Sequence, residues 1–470
     1  MLHDGQGNAV RVGPRLGRGG EGEVFPVQDD PRLAVKVLAP ARRRGKAEKV
    51  QVMVECPPAG AHDLVDGFPV LTWPRAAVLD GPEFAGYTMT RVHRADFVPF
   101  YQLATATRRK DLGGAPITFD RLVLLAMRLC HVVRTLHRFG YAVGDLNDRN
   151  VLVSRRLTPL LMDTDSFQVP RAGRGHYPCL VGDALYWPPE LLDVDLATHS
   201  GSRESSDRYA LGVLLFQLFM NGLRPYQARG TAVAGLESLA DKTRAGLYPW
   251  ASPRPGILEP PAGAPDYRAL PRPMRAAFEQ CFVSGHAKAR RRPSADDWHE
   301  VLAQVRNAGF QACARTTRHV YANGESTCPW CADPNDPFDA TPAALPTTRR
   351  GRPSATLARR GSALRTVART AAQPRPRVAP QRPRVMPLRP AAPPVAPAPQ
   401  ASRVPVRPNS SARSRTPRPK PSARKAKATA GKSKPKRRRP ARARTPWPSK
   451  ARWLTVLTSA VLLTYLWMAS

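Results

Sequence analysis

From residue 341 to residue 470 the chain carries 31 basic side chains and not one acidic side chain. Up to residue 452 the same stretch contains 22 prolines and a single aromatic residue, Trp447. Such a composition cannot bury enough apolar surface to offset the entropy of ordering the chain. A disordered, extended, self-repelling basic linker is therefore expected over 341–452. Any core must come from the first 340 residues, whose 42 basic and 36 acidic side chains leave a net charge of +6 out of a total of +37. A uniformly basic protein of ribosomal or histone type is excluded.

The front section mixes two periodicities. Leu33-Ala34-Val35-Lys36-Val37-Leu38 is a short apolar run with one charge and reads as a strand. Between 119 and 139, Leu122, Leu125, Ala126, Leu129, Val132, Val133 and Leu136 recur at helical spacing, and Gly140 stops the pattern. Residues 208–221 are nearly all apolar, which marks a helix buried on all sides in a sizeable domain. A further helix is expected over 294–305. The fold class that follows is α+β.

The seven cysteines are too few and too scattered for a disulfide scaffold, and their number is odd. Residues 1–22 contain no apolar stretch of the kind that opens a secretory leader. A reducing compartment, with free or metal-bound thiols, is the expectation.

Four elements carry chemistry. Gly17, Gly19 and Gly22 fit G-x-G-x-x-G and are followed by Val24. Glycines let backbone N–H groups approach phosphate oxygens, although a plain hairpin turn fits the same letters. A dinucleotide-binding reading needs a helix directly after the loop, whereas 24–27 and 33–38 look like strands. Lys36 lies alone in its apolar strand, where it needs an anionic partner unless it escapes at a strand edge. Asp145 and Asn150 lie five apart, directly before Val151-Leu152-Val153. Asp163 follows Asp145 by 18 residues and ends the run Leu160-Leu161-Met162. A carboxylate there suits Mg²⁺, which prefers hard oxygen ligands.

In this order the four elements resemble the protein kinase catalytic domain over about residues 10–307. The resemblance implies two lobes, a small one over 10–92 and a large one over 93–307. It implies that the loop of Gly17, Gly19, Gly22 and Val24 covers ATP phosphates and that Lys36 grips them. It implies that Asp145 accepts the proton of the attacking hydroxyl of a protein substrate, and that Asn150 and Asp163 hold Mg²⁺. Met89, in the strand entering the hinge, would face the adenine. Later landmarks agree: Pro188-Pro189-Glu190 at the end of an activation segment, Asp207 before Leu211-Gly212, and Arg292-Pro293-Ser294.

The pattern is also broken. Val143-Gly144 stands where the family has His-Arg, Asn147 where it has a lysine, Thr164-Asp165 after the metal aspartate, and Asp183 where it has a threonine. Asp165 is a second candidate metal ligand, although spacing favours Asp163. Glu48 and Glu55 are both candidates to pair with Lys36, and the apolar pattern after Glu48 favours it. These departures resemble a bacterial serine/threonine-kinase-like subfamily. An active, membrane-held kinase is the leading expectation. A nucleotide-binding pseudokinase scaffold is one alternative, because Asn147 and the altered metal motif depart from the active pattern, and a kinase-regulated nucleic-acid-binding protein acting through the basic tail is another.

Cys313, His319, Cys328 and Cys331, over 310–339, offer three sulfurs and an imidazole, the ligand set of a structural Zn²⁺. A redox C-x-x-C and a plain pair of thiols are the rivals. Residues 453–469 hold 17 uncharged residues with Trp453 at one end and Tyr465 and Trp467 at the other. As a helix they would span about 26 Å against a hydrocarbon core of about 30 Å. A single transmembrane helix is expected, with a surface helix as the alternative. Lys450 and Arg452 then keep the kinase part cytoplasmic. The run Lys432 to Arg439 beside it suits anionic membrane lipids. Nucleic acid is the less favoured partner, because stacking aromatics are missing.

Overall fold

The computed structural model describes residues 1–109, 111–173 and 175–338. The linker expected over 341–452 and the membrane span expected over 453–469 lie outside the described residues. Among the described residues no helix is long and apolar enough to cross a membrane.

The β-branched run around Lys36 forms the strand Leu33–Leu38, as its composition predicts. It sits inside a six-stranded antiparallel sheet in the order Leu2–Asp4, Ala76–Asp80, Glu83–Thr90, Leu33–Leu38, Gly22–Pro26, Gly17–Arg18. In this register Lys36 lies opposite Tyr87 on one side and Val24 on the other, and Ala34 lies opposite Met89. Directly opposed residues share a face. The helix Lys46–Glu55 packs Val50 and Val54 into a cluster with Val24, Ala34, Tyr87 and Met89. The sheet part begins earlier than residue 10, because Leu2–Asp4 pairs with Ala76–Asp80.

The rest is mostly helical. The helix Phe119–Arg138 buries eleven side chains and ends where Gly140 adopts φ 79°. The apolar helix is Glu204–Phe219, four residues earlier than its hydrophobic run suggests, because Glu204, Ser205 and Ser206 form its polar first turn. Ala295–Ala308 starts on a capping box between Ser294 and Asp297. These three helices share one core with Val151, Val153 and Leu161.

The Cys/His segment is not separate from that core. Its hairpin, Phe310–Ala312 paired with Val320–Ala322, leads to Trp330 and Phe338. Phe119 lies 6.0 Å from Phe310, 5.7 Å from Trp330 and 6.3 Å from Phe338, ring centre to ring centre. The segment has too few apolar residues for a core of its own, so its aromatic side chains complete the large one.

Candidate active site

Lys36 is only 5% exposed, so its ammonium needs anions. It donates to Asp163 Oδ1 at 2.9 Å and to Asp165 Oδ1 at 2.7 Å. Burial alone would drive off its proton, but the two carboxylates more than reverse this, and its pKa lies above the ordinary lysine value. Asp163 adopts φ 52°, a left-handed conformation, and keeps a side chain that is 56% exposed.

Asp163 is held beside Asn150 by the Met162 N–H, which bonds the Asn150 carbonyl at 3.0 Å. Asn150 Nδ2 donates to Asp145 Oδ2 at 3.0 Å, and Asn147 Nδ2 donates to Asp145 Oδ1 at 2.7 Å. The Asp183 N–H adds a third bond, to Asp145 Oδ1, at 3.1 Å. Burial raises the pKa of Asp145 above the ordinary carboxylate value, and these donors partly offset it.

Asn147 therefore does more than mark a missing lysine. Its Oδ1 accepts the backbone N–H groups of Arg149 and Asn150, which shapes the loop. Asp207, buried at the start of the apolar helix, accepts the N–H groups of Val143 at 2.6 Å and Gly144 at 2.8 Å. Glu190 and Arg292 form a two-pronged pair at 2.6 and 2.7 Å.

Three sequence expectations need correction. Glu48 does not reach Lys36. It bonds Arg171 at 2.8 Å, and its side chain is 62% exposed. At about 100° per residue, the buried face of this helix carries Lys49, Val50 and Met53, with Lys46 turned toward the site, and Glu48 lies off it. The alternative, Glu55, bonds Gln51 on its own helix. Asp165 is not open to a metal ion, because it is fully buried and both its oxygens are engaged. Lys36 and Tyr87 donate to Oδ1, and Lys46 donates to Oδ2 at 2.6 Å.

The glycines differ in what they require. At Gly22 a Cβ would lie 2.2 Å from the Val37 carbonyl oxygen, so close strand approach demands glycine there. At Gly17 and Gly19 a Cβ would meet open space.

Arg203 carries no motif signal, yet it is 1% exposed and donates to the carbonyls of Gly144 and Cys179. Lys46 carries no sequence signal either, because a lysine at the start of a helix is usually solvated.

A second cluster gathers Cys313, His319, Cys328 and Cys331, whose ligand atoms all lie within 4.8 Å of one another. His319 turns Nδ1 toward the sulfurs and places Nε2 2.5 Å from Asp336 Oδ2. This set can hold a metal ion. A surface cavity of about 400 Å³, lined by residues that include Arg229, Trp250, Tyr267 and Asn335, shares no residue with either cluster.

No family model matches the chain. The chain is 28% identical over 336 residues to protein kinase YegI of Escherichia coli O157:H7, a match covering 70% of this chain and 50% of that one. It therefore spans about half the length of that relative. It is 29% identical over 153 residues to serine/threonine-protein kinase 16 of Rattus norvegicus, covering 29% of this chain and 49% of that one. Tyrosine-protein kinase Dnt of Drosophila melanogaster is 28% identical over 114 residues, 23% of this chain and 18% of that one. With its motifs in this order on a mixed α/β frame, the chain is similar to protein kinases over about 70% of its length.

Proposed function

We propose that the chain is a protein kinase that transfers the γ-phosphate of ATP to a serine or threonine hydroxyl of a protein. One observation carries the proposal. Lys36 reaches Asp163, 127 residues away in sequence, while Met162 ties that aspartate to the loop bearing Asp145 and Asn150. Lys36 offers fixed positive charge to the phosphates of the nucleotide. Gly17, Gly19 and Gly22 let the loop backbone approach them, with Val24 and Met89 on the apolar side toward the base. Asp145, oriented by Asn147, Asn150 and the Asp183 N–H, takes the proton of the acceptor hydroxyl as its oxygen attacks the γ-phosphorus and the bond to the bridging oxygen breaks, releasing ADP. Asp163 and the amide oxygen of Asn150 are hard donors that fit Mg²⁺. Such an ion, when bound, neutralises phosphate charge.

The test is transfer of labelled γ-phosphate to a protein acceptor by purified full-length chain, beside Asp145→Asn. Labelling is expected only with the unaltered protein, on serine or threonine after hydrolysis. Equal labelling by both proteins refutes the proposal, and label on tyrosine refutes its specificity.

The Cys/His cluster is proposed to hold a structural Zn²⁺. Three sulfurs and one imidazole suit that ion, and the Asp336 carboxylate on the far nitrogen of His319 is the usual outer partner of a ligating histidine. Metal analysis should find one equivalent in the unaltered protein and less in Cys328→Ser.

Residues 453–469 are proposed as a C-terminal membrane anchor with the kinase part on the cytoplasmic face and the basic linker near anionic lipid. Uncharged length, flanking aromatics and the basic residues that precede it support it. A chain ending at Lys450 should leave the membrane pellet. One that stays there refutes the anchor.

A further inference from the structure

Asp165 occupies the position after Thr164 where the family pattern carries a glycine, and it is the most deeply enclosed carboxylate of the site, with no exposed surface. A buried carboxylate persists only when its charge and lone pairs are matched. Three donors match it: Lys36 at 2.7 Å, Tyr87 at 2.7 Å and Lys46 at 2.6 Å. We infer that Asp165 is the positioning residue for a two-lysine phosphate grip made by Lys36 and Lys46. The inference rests on the kinase reading and assigns Lys46 a binding role that its sequence position does not suggest.

The arrangement follows from register and helix phase. Tyr87 lies opposite Lys36 in the sheet, so both side chains reach the same carboxylate. Burial and the neighbouring Asp165 raise the pKa of the Tyr87 phenol, so it stays protonated and can donate. Lys46 opens the helix Lys46–Glu55, so the ion pair linking helix to site runs from a helix lysine to the aspartate. Glu48 leaves Lys36 to this aspartate by turning to Arg171.

Both ammonium groups also face Glu21 in the glycine loop, Lys46 at 2.8 Å and Lys36 at 3.7 Å. A carboxylate between two lysines, carried by the loop that would cover phosphates, marks a position for an anionic oxygen. Each ammonium has three donors, and Asp165 fixes one on each. A phosphate oxygen replacing Glu21 would meet two oriented cations. Lys46 would also restore the positive charge lost from the catalytic loop with Asn147.

The test compares ATP and adenosine binding by titration calorimetry to full-length protein in Mg²⁺. Asp165→Asn and Lys46→Gln should each weaken ATP about tenfold and leave adenosine unchanged within about twofold, because only ATP presents phosphates. A merely structural lesion would loosen both ligands alike. Unchanged ATP affinity in Lys46→Gln overturns the inference, as does parallel loss of ATP and adenosine in both variants. If Asp165→Asn fails to fold, Lys46→Gln decides alone. Unaltered protein that binds no ATP refutes the kinase reading itself, whereas ATP binding and transfer with silent variants refute only the grip.

Discussion

Lys49 is 5% exposed, and its ammonium donates to the Pro178 carbonyl at 3.3 Å. No carboxylate lies within ion-pair distance of it among the described residues. Burial pulls its pKa down from 10.5 to about 8; Cys179, Asp165 and Glu21 offset only part of this, and Lys46 adds to the fall. Lys49→Met should therefore stabilise the protein. A fall from 10.5 to about 8 corresponds to about 3 kcal/mol of destabilisation when the amine is charged. Losing the Pro178 bond gives back about 1 kcal/mol, so a net gain of about 2 kcal/mol is expected at pH 7. The sign follows from proton counting. Between about pH 8 and 10.5 the unfolded chain holds the proton that the folded one has released, so the stability of the unaltered protein rises with pH there. The advantage of Lys49→Met should shrink by about 2 kcal/mol between pH 7 and pH 9.5. Urea unfolding at the two pH values measures it. A variant less stable at pH 7, or an advantage that does not change with pH, would refute the reasoning.

Gly144→Ala should lose about 2–4 kcal/mol, because φ is 73° and the new Cβ would lie 2.6 Å from Cys179 Sγ and 2.7 Å from its Cβ. Adding Cys179→Gly should recover the steric part only, as thermal unfolding would register. Glu190→Gln should cost about 2 kcal/mol, because Arg292 stays buried without its counter-ion while Glu190 itself is half exposed. Chemical unfolding at pH 7 checks this. Trp330→Ala should cost about 3–5 kcal/mol and shift one common unfolding transition. A separate early transition for residues 310–338 would show that the segment does not share the core.

Much of the frame was legible because it depends on local pattern. The charge in Leu33–Leu38, the spacing of Asp145 and Asn150, and the glycine after Phe119–Arg138 are all carried by neighbours in sequence. What stayed hidden depends on distant partners. Asp165 reads as a ligand until Lys36, Lys46 and Tyr87, each at least 78 residues away, close over it. The apolar residues after Glu48 fix which face of the helix is buried and not which charged side chain meets Lys36. Leu2–Asp4 is three residues long, too short for any period to register.

The departures around Asp145 form one arrangement. At position 144 any side chain would strike Cys179, so an arginine cannot stand there. The cation is instead supplied from Arg203, which bonds the carbonyls of Gly144 and Cys179 from the entrance of the next helix. Four residues on, Asp207 takes the N–H groups of Val143 and Gly144. The same short stretch thus has its carbonyl held by a buried guanidinium and its amides by a buried carboxylate. Asn147 closes the loop from the other side onto Asp145. An arginine that reads a phosphate holds an activation segment only after modification. A buried arginine bonded to main-chain carbonyls holds its neighbours without any phosphate. Arg203 therefore ties the segment at Cys179 to the loop that leads into Asp145 by direct main-chain bonds.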